Sequence, residues 1–251
     1  MLVQDQSEVV EWLSGQSGDP NGPKTERIET HISEIFLTGG RAYKLKRAIK
    51  LPYADFSTES IRHEACKKEL ELNRKTSPEI YNRVRRITRD GAGLMFDGAG
   101  ELVDAVVDMN RFDQESILDQ MALQGKLTLE IMSILAREIS RAHCKATSIQ
   151  QAGVTNIQNV LDINRAGFHE SEVFSDTEIE RIDRAFRTGL RDLAPILKQR
   201  ADRGCIKHCH GDLHLRNICM FNGRPQLFDC IDFNDQLATV DVLYDLAFLA
   251  M

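Results

Sequence analysis

Residues 205–245 read CIKHCHGDLHLRNICMFNGRPQLFDCIDFNDQLATVDVLYD, and three side chains in this stretch could act on one substrate: Asp212, Asn217 and Asp232. The Asn217 amide oxygen and the Asp232 carboxylate are hard oxygen donors of the kind that suit Mg²⁺, an ion that keeps several waters and binds substrate phosphates. A further carboxylate at Asp212 could orient an attacking hydroxyl and accept its proton. Together with a lysine on the nucleotide phosphates, these are the parts phosphoryl transfer needs, because its catalysis is positioning and charge neutralisation.

The elements that must position these groups can be read from the surrounding pattern. Asn222-Gly223 lies between the apolar runs 218–221 and 227–231 and predicts a hairpin closed by a two-residue type I′ turn. In that register Asn217 opposes Phe228, and Asp232 lands opposite Leu213, beside Asp212. Alternation puts Asn217, Phe228, Cys230 and Asp232 on one side and Asp229 on the other, which favours Asp232 as the ligand. A single bulge would exchange Asp229 for Asp232, so both stay in view.

Earlier in the chain, two strands are expected at 28–37 and 42–49 around Thr38-Gly39-Gly40, with Lys44 and Lys46 on one face of the second. A charged helix capped by Ser57 or Thr58 runs to about Lys75, ahead of Pro78. Its expected apolar stripe is Ile61, Ala65 and Leu72, with Glu64, Lys68 and Glu69 on the flanks. Strands at 84–88 and 102–109 complete a small α+β lobe. After Asn110 the pattern turns helical. Thr128 caps a helix through His143 carrying Ile131, Ile134, Leu135, Ile139 and Ala142, and Ser175-x-x-Glu178 opens another that closes near Gly204, with Pro195 as its kink point. The expected division is residues 1–109 and 110–251, meeting near Val106–Phe112. Before them, an amphipathic stretch at Glu8–Leu13 leads into a turn-rich connector at Gly15–Pro23.

The motif His210-Gly211-Asp212-x-x-x-x-Asn217 resembles the HxDxxxxN catalytic loop of protein-kinase-like enzymes, and His-Gly-Asp-Leu-His is similar to its aminoglycoside phosphotransferase branch. Ile231-Asp232-Phe233 is similar to that branch's metal motif, and Asp241 and Tyr244-Asp245-Leu246-Ala247 to the segment after it. Thr30-His31-Ile32-Ser33, Tyr43-Lys44-Leu45-Lys46 and the run from Cys66 to Asn73 resemble the N-lobe of a bacterial group in which the lobe pair often precedes a P-loop ATP-binding domain. The resemblance implies a two-lobed kinase-like α+β fold, a small sheet-containing N-lobe before a mostly helical C-lobe. Its C-lobe is expected to be truncated, because this chain runs only six residues past Asp245.

For individual residues, the resemblance implies Asp212 as catalytic base with His210 supporting its loop, and Asn217 and Asp232 as metal ligands. Lys46 or Lys44 would contact the α/β-phosphates, and Glu69 or Glu64 would pair with that lysine. Val107–Met109 would be the hinge against adenine, and Asp245 would support the catalytic loop. His31 and Ser33 could touch phosphate or serve structure. The implied cofactors are ATP, with GTP as the alternative, and Mg²⁺; the implied partner is a small hydroxyl-bearing substrate. The competing reading is a non-catalytic or incomplete nucleotide-binding module, favoured by the lack of a Gly-x-Gly-x-x-Gly loop.

Composition bounds these readings. The chain of 251 residues is 42% hydrophobic and 28% charged, ordinary for a soluble globular protein. Its apolar runs fall short of the 18 residues or so of a membrane span, and MLVQDQSEVVEWL lacks the basic-then-apolar order of a secretory signal. A net charge of −6 argues against a nucleic-acid-binding surface. Six cysteines without an export signal are expected to be free thiols in the cytoplasm. Cys205, His208, Cys209, His210 and His214 allow a minor zinc reading, but the paired CxxC ends of a zinc ribbon are missing.

Overall fold

The computed structural model of the chain describes residues 3–16, 25–149, 153–171 and 173–251. From Ser17 onward, the connector expected at Gly15–Pro23 lies outside the described residues. The chain divides into two compact units, one formed by Met1–Glu138 with Leu215–Phe233, the other by Ile139–His214 with Asn234–Met251. This division differs from the expected boundary at 109/110, which coincides with the end of a central strand.

In the first unit, helix α1 (Ser7–Ser14) precedes strands β1 (Glu26–Glu29), β2 (Ser33–Thr38) and β3 (Arg41–Lys46) and a short ribbon, β4 (Lys50–Leu51) with β5 (Ala54–Asp55). Helix α2 (Glu59–Asn73) follows, then β6 (Tyr81–Asp90), β7 (Gly93–Phe96) and β8 (Glu101–Asn110). Six of these strands form one antiparallel sheet in the order β1-β2-β3-β8-β6-β7. Strand β8 is apolar on both faces because both are covered. Ala105, Val107 and Met109 pack with Cys66 of α2, while Val106 packs with Val9 and Leu13 of α1.

Three expectations change here. The strand expected at 28–37 is broken into β1 and β2 by a turn in which Thr30 Oγ1 accepts the Ser33 N–H at 3.0 Å. A threonine side chain that bonds the backbone two or three residues on competes with the ladder. Strand β3 ends at Lys46, and β7 has no counterpart in the sequence reading. Gly39 does close the β2–β3 hairpin at φ +54°, with Thr38 opposite Arg41.

Helix α2 starts where expected, with Thr58 Oγ1 accepting the Ile61 N–H at 3.3 Å. Its buried face is not Ile61, Ala65 and Leu72 but Arg62, Cys66, Glu69 and Asn73, and Ile61 is 39% exposed. The two stripes lie one residue apart on the helix, and the polar one is buried because charged partners wait for it. Arg62 grips the buried Asp104 through Nε at 2.9 Å and Nη2 at 2.8 Å.

The unit continues with a 3-10 turn at Gln114–Ser116 and helix α3 (Leu118–Leu123). Helix α4 (Leu129–Lys145) spans the division between units, its first turn capped by Thr128 Oγ1 accepting the Ile131 N–H at 3.2 Å. The second unit then holds α5 (Gly153–Glu170), α6 (Asp176–Asp202) and β9 (Ile206–His208). The capping box at the start of α6 is present: Ser175 Oγ accepts the Glu178 N–H at 3.4 Å and the Ser175 N–H donates to Glu178 Oε2 at 2.9 Å. Pro195 lies inside that helix.

The chain next contributes to the first unit a 3-10 turn at Leu215–Asn217 and the hairpin β10 (Ile218–Phe221) and β11 (Arg224–Leu227). It returns to the second unit with α7 (Asp235–Ala238), β12 (Thr239–Asp241), which pairs with β9, and α8 (Val242–Ala250). Among the described residues no helix is long and apolar enough to cross a membrane.

Replacing one partner of a fully buried ion pair leaves the other uncompensated. Arg62→Met is therefore expected to destabilise the protein by about 3–5 kcal/mol. Ile61→Ser, on the exposed side, should stay within about 0.5 kcal/mol. Chemical denaturation of both variants distinguishes this assignment from a helix with Ile61 facing the core.

Candidate active site

Local rules build the hairpin that carries Asn217 and Asp232. Asn222 and Gly223 take φ of +48° and +77°, both positive as a type I′ turn requires, and Ile218 pairs with Leu227 as the register predicts. One further bond, from the Phe228 N–H to the Asn217 carbonyl at 3.0 Å, extends the pairing. Then Asp229 adopts φ +59° and alternation ends. Its N–H donates to Tyr81 Oη at 3.2 Å, and the Cys230 N–H donates to Asn73 Oδ1 at 3.1 Å.

This left-handed residue changes the answer to which aspartate faces inward. Asp229 and Asp232 both reach lysines of β3: Lys44 Nζ donates to Asp229, and Lys46 Nζ donates to Asp232. Between the lysines stands Glu69, with Oε1 at 2.8 Å from Lys44 Nζ and Oε2 at 2.7 Å from Lys46 Nζ. The expected common face of the two lysines is thus observed, and the choice between glutamates is settled in geometry. Glu69 is buried within the cluster, whereas the side chain of Glu64 is exposed and bonds Lys67 at 2.7 Å.

Burial works against the charged form of both lysines. Asp229 and Glu69 around Lys44, and Asp232 and Glu69 around Lys46, outweigh it and raise both pKa values. Burial also opposes ionisation of Glu69, but Lys44 and Lys46 hold its carboxyl below the usual range. Asp232 goes the other way: burial, with Glu69 adding to it, raises its carboxyl pKa despite the neighbouring Lys46. Two ammonium groups here face three carboxylates, so the cluster is short of positive charge. A divalent cation would supply it, and the oxygen donors of Asp232 and the buried Asn217 suit Mg²⁺.

Val107 and Met109 lie in the interior of β8, paired with β3 on one side and β6 on the other. Their side chains belong to the core cluster against which the partly buried Ile35, Phe112 and Phe228 pack. Gly39 and Gly40 sit at the end of the β2–β3 hairpin remote from Lys46, which pairs instead with Ser33. Ser33 is fully buried and, among the described residues, its Oγ has no hydrogen-bond partner, a signal the sequence carried only as a resemblance.

The segment His210-Gly211-Asp212 lies in the second unit. Gly211 takes φ +82° and its N–H donates to Asp245 Oδ1 at 2.8 Å, which fits the supporting role expected of Asp245. The Asp212 N–H approaches His210 Nδ1 at 3.4 Å, and His214 Nε2 lies 3.4 Å from Asp212 Oδ2. The Asp212 carboxylate is partly open to solvent, with 42% of its side chain exposed. His143, which the sequence reading treated only as a helix end, meets Asp245 Oδ2 through Nε2 at 2.8 Å. Asp241 caps α8 through the Leu243 N–H at 2.8 Å and pairs with Arg200 at 2.5 and 2.7 Å.

The minor zinc reading loses its ligand set. Among the described residues, the group close enough to share an ion is His143, Cys209 and Asp245, without Cys205, His208, His210 or His214. Burial pushes the Cys209 thiol up to about 12, so it is protonated at neutral pH, and Asp245 is committed to the loop. All six cysteines are free.

No family model matches the chain. It is 28% identical over 232 residues to the uncharacterized protein Rv2004c of Mycobacterium tuberculosis, a match covering 89% of this chain and 44% of that protein. The uncharacterized protein Mb2027c of Mycobacterium bovis matches to the same extent. The chain therefore spans less than half the length of the curated relatives it matches. Among solved structures, aminoglycoside phosphotransferase APH(4)-Ia superposes with a TM-score of 0.50 at 13% identity, covering 97% of this chain and 76% of that one. Aminoglycoside phosphotransferase APH(3'')-Id from Streptomyces rimosus gives 0.48 at 17% identity, over 99% and 83% of the two chains. A choline/ethanolamine kinase family protein from Mesorhizobium loti gives 0.48 at 13%, over 97% and 70%. The likeness to APH(4)-Ia establishes the fold: this chain has the kinase-like α+β fold of an aminoglycoside phosphotransferase, as its motifs led us to expect.

The opposite pKa directions of Glu69 and Asp232 give a signed prediction. A carboxylate with a lowered folded pKa adds stability above its unfolded pKa of about 4.3, lost as pH falls through the folded value. One with a raised folded pKa subtracts stability as pH rises from about 3.9 through the folded value. At pH 7 in chelator, Asp232→Asn should therefore raise the melting temperature and Glu69→Gln should lower it. Calorimetry showing the reverse order would refute the assigned charge imbalance.

Proposed function

We propose that this protein is an ATP- and Mg²⁺-dependent phosphotransferase that moves the γ-phosphoryl group to a hydroxyl of a small molecule. The observation that carries the reading is the buried cluster of Lys44, Lys46, Glu69 and Asp232 on a kinase-like fold. Buried charges of this density are expensive to keep and cluster at functional sites. A lysine of β3 held by Glu69 would contact nucleotide phosphates. Ser33, paired with Lys46, carries an Oγ that is buried without a partner among the described residues and adds a donor at the same end of the sheet.

Asn217 and Asp232 would hold Mg²⁺, whose chemistry here is neutralisation of phosphate charge. Asp212 is the assigned base. Its carboxylate is partly exposed, and the loop that carries it is fixed from below by Asp245 through Gly211, so it can receive a proton from a hydroxyl without itself being buried. His210 supports that loop. The adenine is assigned to the face of β8 carrying Val107 and Met109, with Ile35, Phe112 and Phe228 offering apolar surface in front of them. GTP is the alternative donor. A P-loop ATP-binding domain in longer relatives belongs to the same reading.

A non-catalytic nucleotide-binding module is the second reading. It is favoured by the turn between β1 and β2, where Thr30–Ser33 stands without glycine. One assay separates the two. With Mg²⁺ present, the wild type should hydrolyse ATP. Asp212→Ala should lose about 100-fold or more of that turnover while keeping its nucleotide affinity. Equal turnover in both proteins rejects the catalytic assignment, and magnesium-dependent binding without turnover in the wild type selects the non-catalytic reading.

A further inference from the structure

The cluster holds one lysine more than the proposed reaction uses. Lys44 and Lys46 are both buried and each binds a different oxygen of Glu69. Their second partners differ in kind. Lys46 turns to Asp232, a residue assigned above to the metal. Lys44 turns to Asp229, which is held in a left-handed conformation rare for a residue with a side chain. That backbone is pinned on both sides, by the Asp229 N–H on Tyr81 Oη and by the Cys230 N–H on Asn73 Oδ1. Tyr81 and Asn73 are themselves buried, and Thr76 Oγ1 and Ser77 Oγ both donate to the Leu227 carbonyl just upstream, at 2.7 and 2.5 Å. Lys44 is therefore gripped by two carboxylates on fixed supports.

We propose that the two lysines divide the labour: Lys44 is a stationary counter-ion for Glu69, positioned by Asp229, and this frees Lys46 to leave Glu69 and Asp232 for the nucleotide phosphate. The inference rests on the phosphotransferase reading and deepens it. The physical reason is the cost of an unpaired buried charge. With a single lysine, each departure of the ammonium toward phosphate would strand the Glu69 carboxylate in the protein interior. With Lys44 in place, Glu69 keeps a partner throughout, and Asp232 is released when Lys46 moves. Asp229, three residues ahead of Asp232, has no role as a metal ligand in this scheme; its left-handed backbone exists to present a carboxylate to Lys44. Lys44 and Asp229 are positioning residues, and Lys46 is the one that touches substrate.

The test is a rescue experiment on the full chain, read as Mg-ATP affinity and ATP turnover. Lys46→Met should cost about 100-fold in turnover, and adding Glu69→Gln should restore none of it, because the phosphate ligand itself is gone. Lys44→Met should cost about tenfold or more, since Lys46 becomes the sole counter-ion of a buried carboxylate and is held back. Lys44→Met combined with Glu69→Gln should regain most of that loss, because neutralising the carboxylate removes the reason for Lys44. Absence of rescue in the Lys44 pair, or equal rescue in the Lys46 pair, overturns the division of labour. Should Lys44→Met not fold, Asp229→Asn reads the same clamp: turnover falls several-fold with Mg-ATP affinity unchanged, and unaltered turnover overturns the proposal. A wild type that neither binds nor turns over Mg-ATP would sink the phosphotransferase reading itself, whereas an active wild type without the rescue sinks the division alone.

Discussion

Five ionisable side chains, two lysines and three carboxylates, are gathered where β3, α2 and the segment after β11 meet. Four of them, Lys44, Lys46, Glu69 and Asp232, are buried, and any one of these alone would be driven toward neutrality or out to solvent by desolvation, while Asp229 is half-exposed. Held together, the two lysines and Glu69 are shifted toward their charged forms, and the requirement to hold the five together explains features that otherwise look accidental. It explains why α2 buries a polar stripe rather than the apolar one beside it. It explains why Asp229 accepts a backbone conformation that costs an ordinary residue about 1 kcal/mol or more. It also explains why Tyr81, Asn73 and Ser77 spend buried hydrogen bonds on the backbone of the segment that carries the aspartates.

A second, smaller constraint operates on the loop His210-Gly211-Asp212. Asp245, fully buried at the start of α8, gives one oxygen to the Gly211 N–H and the other to His143 from α4. Glycine at 211 is needed because its φ of +82° disfavours residues with a Cβ. The Asp212 carboxylate is left partly exposed, while the Asp245 carboxylate that holds the loop is withdrawn from solvent. The two aspartates thus sit in opposite environments, a difference set by packing and not by residue type.

The likeness to solved aminoglycoside phosphotransferases concerns the fold and stops there, because one fold hosts many chemistries and function resides in sites. The proposed phosphoryl transfer rests instead on this chain's own residues, first among them the buried ion cluster of Lys44, Lys46, Glu69 and Asp232. The mycobacterial relatives share 28% of aligned residues but extend over more than twice the matched length. The acceptor therefore has to be sought by assay on this chain and not read from the names of its neighbours.

Local rules settled a good deal of this molecule in advance. The Asn222-Gly223 turn, the register of β10 on β11, the caps at Thr58, Thr128 and Ser175, and the common face of Lys44 and Lys46 all depend on residues within a few positions of one another. The motif around Asp212 was equally legible, since its spacing is a property of the chain. Three things were decided only by the assembled structure: that Glu69 and not Glu64 turns inward, that Asp229 joins Asp232 at the lysines, and that the turn beside Lys46 is Thr30–Ser33 and not the glycine pair. Periodicity offers α2 two adjacent stripes and the hairpin's end two aspartates. Choosing between them takes the field of charges brought from distant parts of the chain, and that field exists only after folding.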